Sequence, residues 1–539
     1  VPVSVLSGFA SDLQDAIADT TPCVRQGAAE AMGSLSALAN GNYLSTQIQW
    51  LVDQVVNNTR PETRAGCSLA FGAIYNNVGG LAGGPILKTI VNILMSLATD
   101  PHPVVHYYAM SALAQVVNAA NLSYAPYVTN TLGMLSNIYL LETHEPEGGS
   151  LGSVNLRGDL PAYQVICRIL HALVGVLGPE LQEPGKVRSL VFLLVHEFGE
   201  ETDEGLAVEA IKCVQQFLMF APAEVDVPRL LQTFRTHLAS TRRPLKVAAI
   251  TALYQIVQRD AVLISKLGGN QLVEDLFGLL DDDPSLEGVR NVITSWLQQT
   301  AATLPSGWID LCQRIMTRTA AQKKAASTSA QQTSGPAFID DEGESFAAEA
   351  TQNSSSSALS SRWRTQLFAL SCLHNIVLAV AEGGRAEHFD PIAAQQAGLN
   401  MRQMLFSRVA DLIRMAFSAS AAQVMDVRLQ GLIVLRDVIE VSSTLRWLGL
   451  GADSKRFAGA GDPDFEGALL LEQHQAPIAA ALTPSFGSDS APEVLAAAVQ
   501  VCAVFVGSGV VKEVNRMGRI LKLLTNALEQ CKSESGDRL

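Results

Sequence analysis

A stripe of small and aliphatic residues at helical spacing recurs about every 40 residues, and no other feature restricts the fold of this chain as strongly. Asp19-Thr20-Thr21-Pro22-Cys23-Val24-Arg25 opens a stripe at Val24, Ala28, Ala31, Leu35 and Leu38, in steps of 4, 3, 4 and 3. Such steps mark one face of an α-helix. The opening returns at Asn58–Arg64, followed by Thr63, Cys67, Ala70 and Ile74, and at Asp100–His106, followed by Val105, Ala109, Ala112 and Val116. Val24 and Thr63 are 39 residues apart, Thr63 and Val105 are 42 apart. Asp19 and the threonines offer capping oxygens, and Pro22 suits a first helical turn. Small residues midway, Gly33, Gly72 and Ala114, would let a neighbouring helix approach closely. Between these helices, Leu44–Val56 and Ile86–Leu97 show the same periodicity, the second after a glycine-rich break at Gly79–Gly84 expected to be a turn. The unit is helix, turn, helix.

Later units are degenerate. Lys186–Phe198 pairs with Glu204–Phe220, Val227–Leu238 with Pro244–Arg259, and Gln271–Leu280 with Pro284–Thr300. Met401–Ala416 pairs with Asp426–Val441, and Leu469–Ala481 with Pro492–Val506. A hairpin of this kind cannot bury its apolar face alone, so neighbours must stack. The period is that of HEAT and armadillo repeats. The expected fold is all-α, an α-solenoid of about ten HEAT-type antiparallel helical hairpins. The first residue is Val1 and the last helix stands alone at Gly518–Gln530, so the chain reads as a fragment of a longer superhelix. Hydrophobic residues make up 48% and aromatics 6%, a mix that favours packed helices over sandwiches.

The formal net charge of -14 keeps a large surface soluble and argues against broad nucleic-acid binding, which needs a basic face. None of the eight cysteines forms a C-x-x-C pair. Placed in apolar helical runs, they read as small buried hydrophobes in a reducing, cytosolic setting. The apolar run Val494–Val511 reads as a buried helix rather than a membrane span.

Motifs that could carry chemistry dissolve on inspection. Gly148-Gly149-Ser150-Leu151-Gly152 fits the G-x-S-x-G string, but it follows a helix and enters a loop, whereas a nucleophile elbow needs strand–turn–helix. His102 and His106 share a helical spacing without further ligands nearby. His196-Glu197 lacks the second histidine of a zinc protease. The Gly79–Gly84 run lacks a G-K-[ST] ending. We therefore expect no enzyme, no metal and no cofactor. Arg242, Arg243 and Lys246 form a small basic cluster at a hairpin turn, read first as a solvated helix start and second as a contact for an acidic partner or lipid headgroup.

Composition breaks at Ala320–Ser361, rich in Ser, Ala, Gln and Thr, with an acidic knot at Asp340-Asp341-Glu342-Gly343-Glu344. It has too little apolar surface to order. The domain reading is a solenoid over 1–319, a disordered insert over 320–361 between the two helices of one hairpin (Trp308–Thr319 and Arg362–Ala381), and the solenoid continued over 362–539. The insert is either a spacer or a partner-binding tether, with Asp340, Asp341 and Glu342 as its candidate contacts.

The Asp-x-x-Pro-x-Val-Arg opening resembles the HEAT repeat, a likeness which implies that the Asp and Arg tie adjacent hairpins together. Leu471-Glu472-Gln473-His474-Gln475-Ala476-Pro477-Ile478, Ala481-Leu482-Thr483-Pro484-Ser485-Phe486 and Val499–Gly509 resemble the HEAT-repeat-containing protein 5 family, as does Val511–Leu524. The likeness is specific over Leu469–Gln530. It implies a non-catalytic scaffold, an accessory of the clathrin adaptor complex 1 in vesicle traffic between trans-Golgi and endosomes. Such a protein is cytoplasmic, held peripherally on membranes by partner proteins, and self-association is compatible with it. Two other classes fit a bare helical array: a regulatory region of a large enzyme, and a nuclear transport receptor. Replacing Ala320–Ser361 with a short Gly/Ser linker should leave helicity and melting temperature unchanged by circular dichroism. Unfolding of that variant would show that the segment packs as part of the array.

Overall fold

The computed structural model describes residues 3–39, 41–144, 162–200, 203–317, 352–389, 391–443, 470–487, 490–511, 518 and 520–529. Among them there are helices and turns and no strand. The knot at Asp340, Asp341 and Glu342 and the G-x-S-x-G string at Ser150 lie outside the described residues.

The chain divides into two compact units, Val1–Gln255 and Ile256–Leu539. The first contains α1 (Val3–Ile17), α2 (Pro22–Leu38), α3 (Gly41–Asn57), α4 (Pro61–Val78), α5 (Gly80–Leu97), α6 (Pro103–Ala120), α7 (Val128–His144), α8 (Ala162–Leu177), α9 (Lys186–Glu200), α10 (Glu204–Phe220) and α11 (Val227–Leu238). Next comes α12 (Arg243–Asp282), broken at Asp260 and Gly268 into shorter helices. The second unit continues with α13 (Glu287–Thr300), α14 (305–317), α15 (Gln352–Gly383), α16 (Pro391–Gln396), α17 (Val409–Ser420), α18 (Met425–Ser443), α19 (Gln475–Leu482), α20 (Pro492–Gly507) and α21 (520–529).

Within the first unit, α2, α4, α6, α8 and α10 pack side by side in chain order, and their hairpin partners lie against them. Within the second, α13, α15, α18 and α20 do the same. This is the layered stacking of an α-solenoid, in which each hairpin buries its stripe against the next. The stripes Thr63, Cys67, Ala70, Ile74 and Val105, Ala109, Ala112, Val116 are all buried.

Small residues set the spacing of the layer. A Cβ placed on Gly66 would sit 2.1 Å from the Ile17 carbonyl oxygen, and one on Gly72 2.9 Å from the Ala112 Cα. Only a hydrogen fits at either point. Packing this dense makes each added methyl felt.

Several boundaries differ from those expected. The α2 stripe is rotated: Arg25, Ala28, Ala29, Met32, Gly33 and Ser36 are buried, while Val24 and Leu38 are exposed and Leu35 is half-buried. Gly80–Gly84 is not a turn but the start of α5, and Gly79 alone turns the chain, with φ 46°. Gly83 faces the Tyr75 ring, where a Cβ would come within 2.8 Å. Met401–Arg408 forms two short 3₁₀ turns, so α17 begins at Val409. The Asn400 side chain caps the first turn by accepting from the Arg402 N–H, and Met404 is extended, which stops a continuous helix. Leu470–His474 is likewise 3₁₀, and α13 starts at Glu287 rather than Pro284. The backbone of 352–361, expected to belong to a disordered insert, is helical and extends α15.

The apolar helix α20 ends at Gly507 and buries Val494, Ala498, Val501, Cys502 and Phe505. Three other stretches, Ala162–Gln182, Arg243–Asp282 and Trp363–Gly383, are long and apolar enough to cross a membrane by length and composition alone. Each is partly buried inside the fold.

Gly66→Ala should destabilise the protein by about 1–3 kcal/mol through overpacking, read in denaturant unfolding; an unchanged midpoint would contradict the close approach. Val116→Asp should cost several kcal/mol and unfold neighbouring hairpins with it, whereas Leu35→Asp, at a half-buried position, should cost clearly less. Equal losses would mean the two positions are equally enclosed.

Candidate functional site

With no catalytic constellation expected, the candidate site is the array's own polar surface and the groups that hold it in register. Three hairpins carry a cation, or histidine in its place, at the same register: Arg25, Arg64 and His106. Arg64 Nη2 reaches Asp100 Oδ2 at 2.6 Å, and that carboxylate is nearly fully buried. Asp100 Oδ1 also accepts from the His102 N–H at 2.8 Å. This is the tie between adjacent hairpins that the repeat resemblance implies. Arg25 behaves differently. Its Nη1 donates to the Asp19 and Thr20 carbonyls at 2.9 and 2.8 Å, within its own turn, and its guanidinium lies 5.6 Å from the Tyr108 ring centre. Hydrogen bonds from Thr21 hold the Asp19 carboxyl below its ordinary range.

His106 replaces the arginine and is buried. Its Nδ1 lies 2.5 Å from the Ala98 carbonyl oxygen, so Nδ1–H donates. Burial pushes its pKa down. Neither His102 nor His106 builds a metal site, and among the described residues no group of three or more His, Cys, Asp or Glu could hold an ion. Cys67, Cys167, Cys213, Cys312, Cys372 and Cys502 are buried free thiols and Cys23 is exposed. Burial raises the thiols of Cys67, Cys312 and Cys502 to about 12, which removes the thiolate that nucleophilic chemistry needs. His196 stands 3.8 Å from Glu200 one turn on, an exposed helix-surface pair.

The hairpin α9–α10 and its following turn collect arginines from both sides. Glu209, almost fully buried on α10, takes Arg168 Nε of α8 at 2.9 Å and Lys212 Nζ at 3.2 Å. Glu224 takes Arg188 at 2.8 Å. Glu200 takes Arg229 of α11 at 2.9 Å, and Glu204 takes Arg242 at 2.6 Å. Sequence reasoning missed this set because the partners lie tens of residues apart and no local pattern links them.

The basic cluster is therefore only partly what the sequence suggested. Arg242 is a tie to Glu204, and Ser240 Oγ shares that carboxylate at 2.8 Å. Arg243 is exposed and Lys246 half-buried at the start of α12. Beyond them Val247, Thr251 and Tyr254 line one exposed face, Val247 at 44% and Tyr254 at 37% exposure. The i, i+4, i+7 spacing of Val247, Thr251 and Tyr254 marks a helix face but does not report whether that face is covered. In the second unit, Arg314 meets Glu274 at 2.9 Å, Arg408 meets Asp310, and His374 Nδ1 meets the buried Asp437.

Residues 404–447 and 450–538 match the family model described as the Laa1/Sip1/HEATR5 HEAT repeat region. Protein SWEETIE of Arabidopsis thaliana is 26% identical over 541 residues, covering 97% of this chain and 23% of that protein. AP-1 accessory protein LAA1 of Saccharomyces cerevisiae is 20% identical over 542 residues, covering 92% of this chain and 25% of that protein. The chain thus spans about a quarter of the length of these relatives. Among solved structures, yeast importin-β (Kap95p) aligns over 94% of this chain and 52% of its own at 10% identity with a TM-score of 0.45. Kap121p bound to Pho4p aligns over 98% of this chain and 48% of its own at 12% identity with a TM-score of 0.42.

Acid should loosen the α5–α6 turn through His106. Above about pH 6.5 the ring is neutral whether folded or not; below it the unfolded ring takes a proton first, so stability falls until the folded ring also titrates. The melting temperature should drop between about pH 7.5 and about pH 5.5, and His106→Gln should shrink that drop. An undiminished drop in the variant would assign the effect to other groups.

Proposed function

We propose, for this member of the Laa1/Sip1/HEATR5 HEAT-repeat family, the role of a non-catalytic scaffold in clathrin-adaptor-dependent vesicle traffic between the trans-Golgi network and endosomes. The observation that carries the reading is the family match over 404–447 and 450–538, in the second unit, where α15, α18 and α20 stack in chain order and His374 of α15 meets Asp437 of α18. Its work is protein–protein recognition. Stacked hairpins offer a long surface on which several modest contacts add through effective concentration. The partners are the clathrin adaptor complex 1 or its accessory proteins, the relation that the yeast relative's name states for that protein. Membrane contact is peripheral and made through those partners, and the protein resides in the cytoplasm on trans-Golgi and endosomal membranes.

Affinity purification of the full-length parent protein, with mass spectrometry of what accompanies it, tests this reading. Adaptor complex 1 subunits or their accessory proteins should be enriched, and the protein should overlap them on trans-Golgi or endosomal membranes. Enrichment of nuclear-transport components with cargo-dependent nuclear shuttling, or of a catalytic domain within the parent chain, would replace it with one of the two other classes.

A further inference from the structure

Two thiols meet across the seam between α8 and α10. Cys167 Sγ and Cys213 Sγ lie 3.9 Å apart, and the Cys213 thiol also donates to the Cys167 carbonyl oxygen at 3.6 Å. The two residues are 46 positions apart in the chain, and both are fully buried. Their helices run side by side in the layer. Polar contacts along the same seam hold the helices level at this point. Gln164 Nε2 donates to Asp203 at 3.2 Å, Arg168 Nε donates to Glu209 at 2.9 Å, and Gln216 Nε2 lies 3.3 Å from His171 Nε2. The side chains of Arg168 and Lys212, next in sequence to the two cysteine positions, are 45% and 43% exposed. The sulfurs therefore lie just beneath the polar, solvent-facing edge of the seam.

A disulfide has its sulfurs about 2.05 Å apart, so this pair must close by roughly 1.8 Å. That is the scale of a side-chain rotation rather than of a helix displacement. Burial, and then the Cys167 sulfur beside it, push the Cys213 thiol well up, which keeps the pair protonated and unreactive while the seam is closed. Local opening of the polar edge admits solvent and a small oxidant.

We propose that Cys167 and Cys213 are a redox-sensitive clasp, joined as a disulfide across the α8–α10 seam when a peroxide reaches them. One sulfur, having given up its proton, attacks the peroxide O–O bond. That bond breaks, a sulfenic acid forms and one water leaves. The second sulfur attacks the first, the S–S bond forms, the S–O bond breaks and a second water leaves. The two sulfurs together lose two electrons to the peroxide, and both thiol protons end in water. Small thiols reverse the step by exchange, so a reducing compartment holds the clasp open. Once closed, it joins one hairpin covalently to the next and stops their relative tilt at that seam.

The test uses the whole chain carrying Cys23→Ser, which removes an exposed thiol and the intermolecular products it would give. The protein is treated with hydrogen peroxide at neutral pH without denaturant. Remaining thiols are then blocked, and a tryptic digest is read by mass spectrometry without reductant. The peptide ending at Arg168 should appear joined to the peptide beginning at Cys213, while Cys67, equally buried on α4, stays a thiol. The melting temperature should rise by about 5 °C, and dithiothreitol should reverse both changes. Cys213→Ala should show no rise on peroxide treatment, and neither should Cys167→Ala. If either variant folds poorly, the linked peptide in the parent chain decides. Absence of that peptide overturns the inference, as does its formation only in urea. Linkage of Cys67 to either residue as readily as of the two to each other also overturns it, because that is the reaction of an unfolded chain. A linked peptide with an unchanged or lowered melting temperature would show a strained by-product and not a clasp.

Discussion

The close approach of neighbouring helices in the α2–α4–α6 layer governs everything built on it. Where Gly33 passes the Ala73 carbonyl and Gly72 passes Ala112, no room remains for a methyl group. That contact brings the Thr63–Ile74 and Val105–Val116 stripes into mutual burial. A hairpin removed from its neighbours would leave those residues in water, so stability belongs to interfaces rather than to hairpins. The Arg64–Asp100 tie and the buried His106 then act within a spacing that packing has already set.

How much of this was legible varies with the kind of information involved. The repeat length, the all-helical class and the two fully buried stripes were readable, because periodicity reports which residues share a face. Periodicity does not report whether anything covers that face. In α2 the equivalents of Thr63 and Val105 include exposed Val24, and the core instead takes Arg25, Met32 and Ser36. Gly80–Gly84 misled in the other direction: glycines usually signal a turn, yet here Gly83 makes space for the Tyr75 ring within α5. Met401–Arg408 kept a helical pattern but lost the helix to local capping by Asn400. Short-range hydrogen bonds of that sort compete with the helix in ways that a hydrophobic pattern does not record.

The candidate interaction surfaces were less legible than the core. Arg242 looked like one member of a free basic cluster and is a structural tie. Glu209 drew no notice because its partner Arg168 lies on another helix. Val247 and Tyr254 are exposed although apolar, since a folded surface always retains many apolar residues and a hydrophobic pattern alone does not separate them from core.

The distribution of ion pairs around α9–α10 also gives the first unit an uneven response to its ionic surroundings. Glu200, Glu204, Glu209 and Glu224 receive arginines from neighbouring helices and turns, while Arg64 ties α4 to the start of α6 through the nearly buried Asp100 carboxylate. Counter-ions reach the exposed pairs at Glu200 and Glu204 and scarcely reach Asp100. A rise in ionic strength will therefore weaken the outer pairs at Glu200 and Glu204 first and leave the apolar seam beneath them, where Phe198, Leu206 and Phe217 are buried, unchanged.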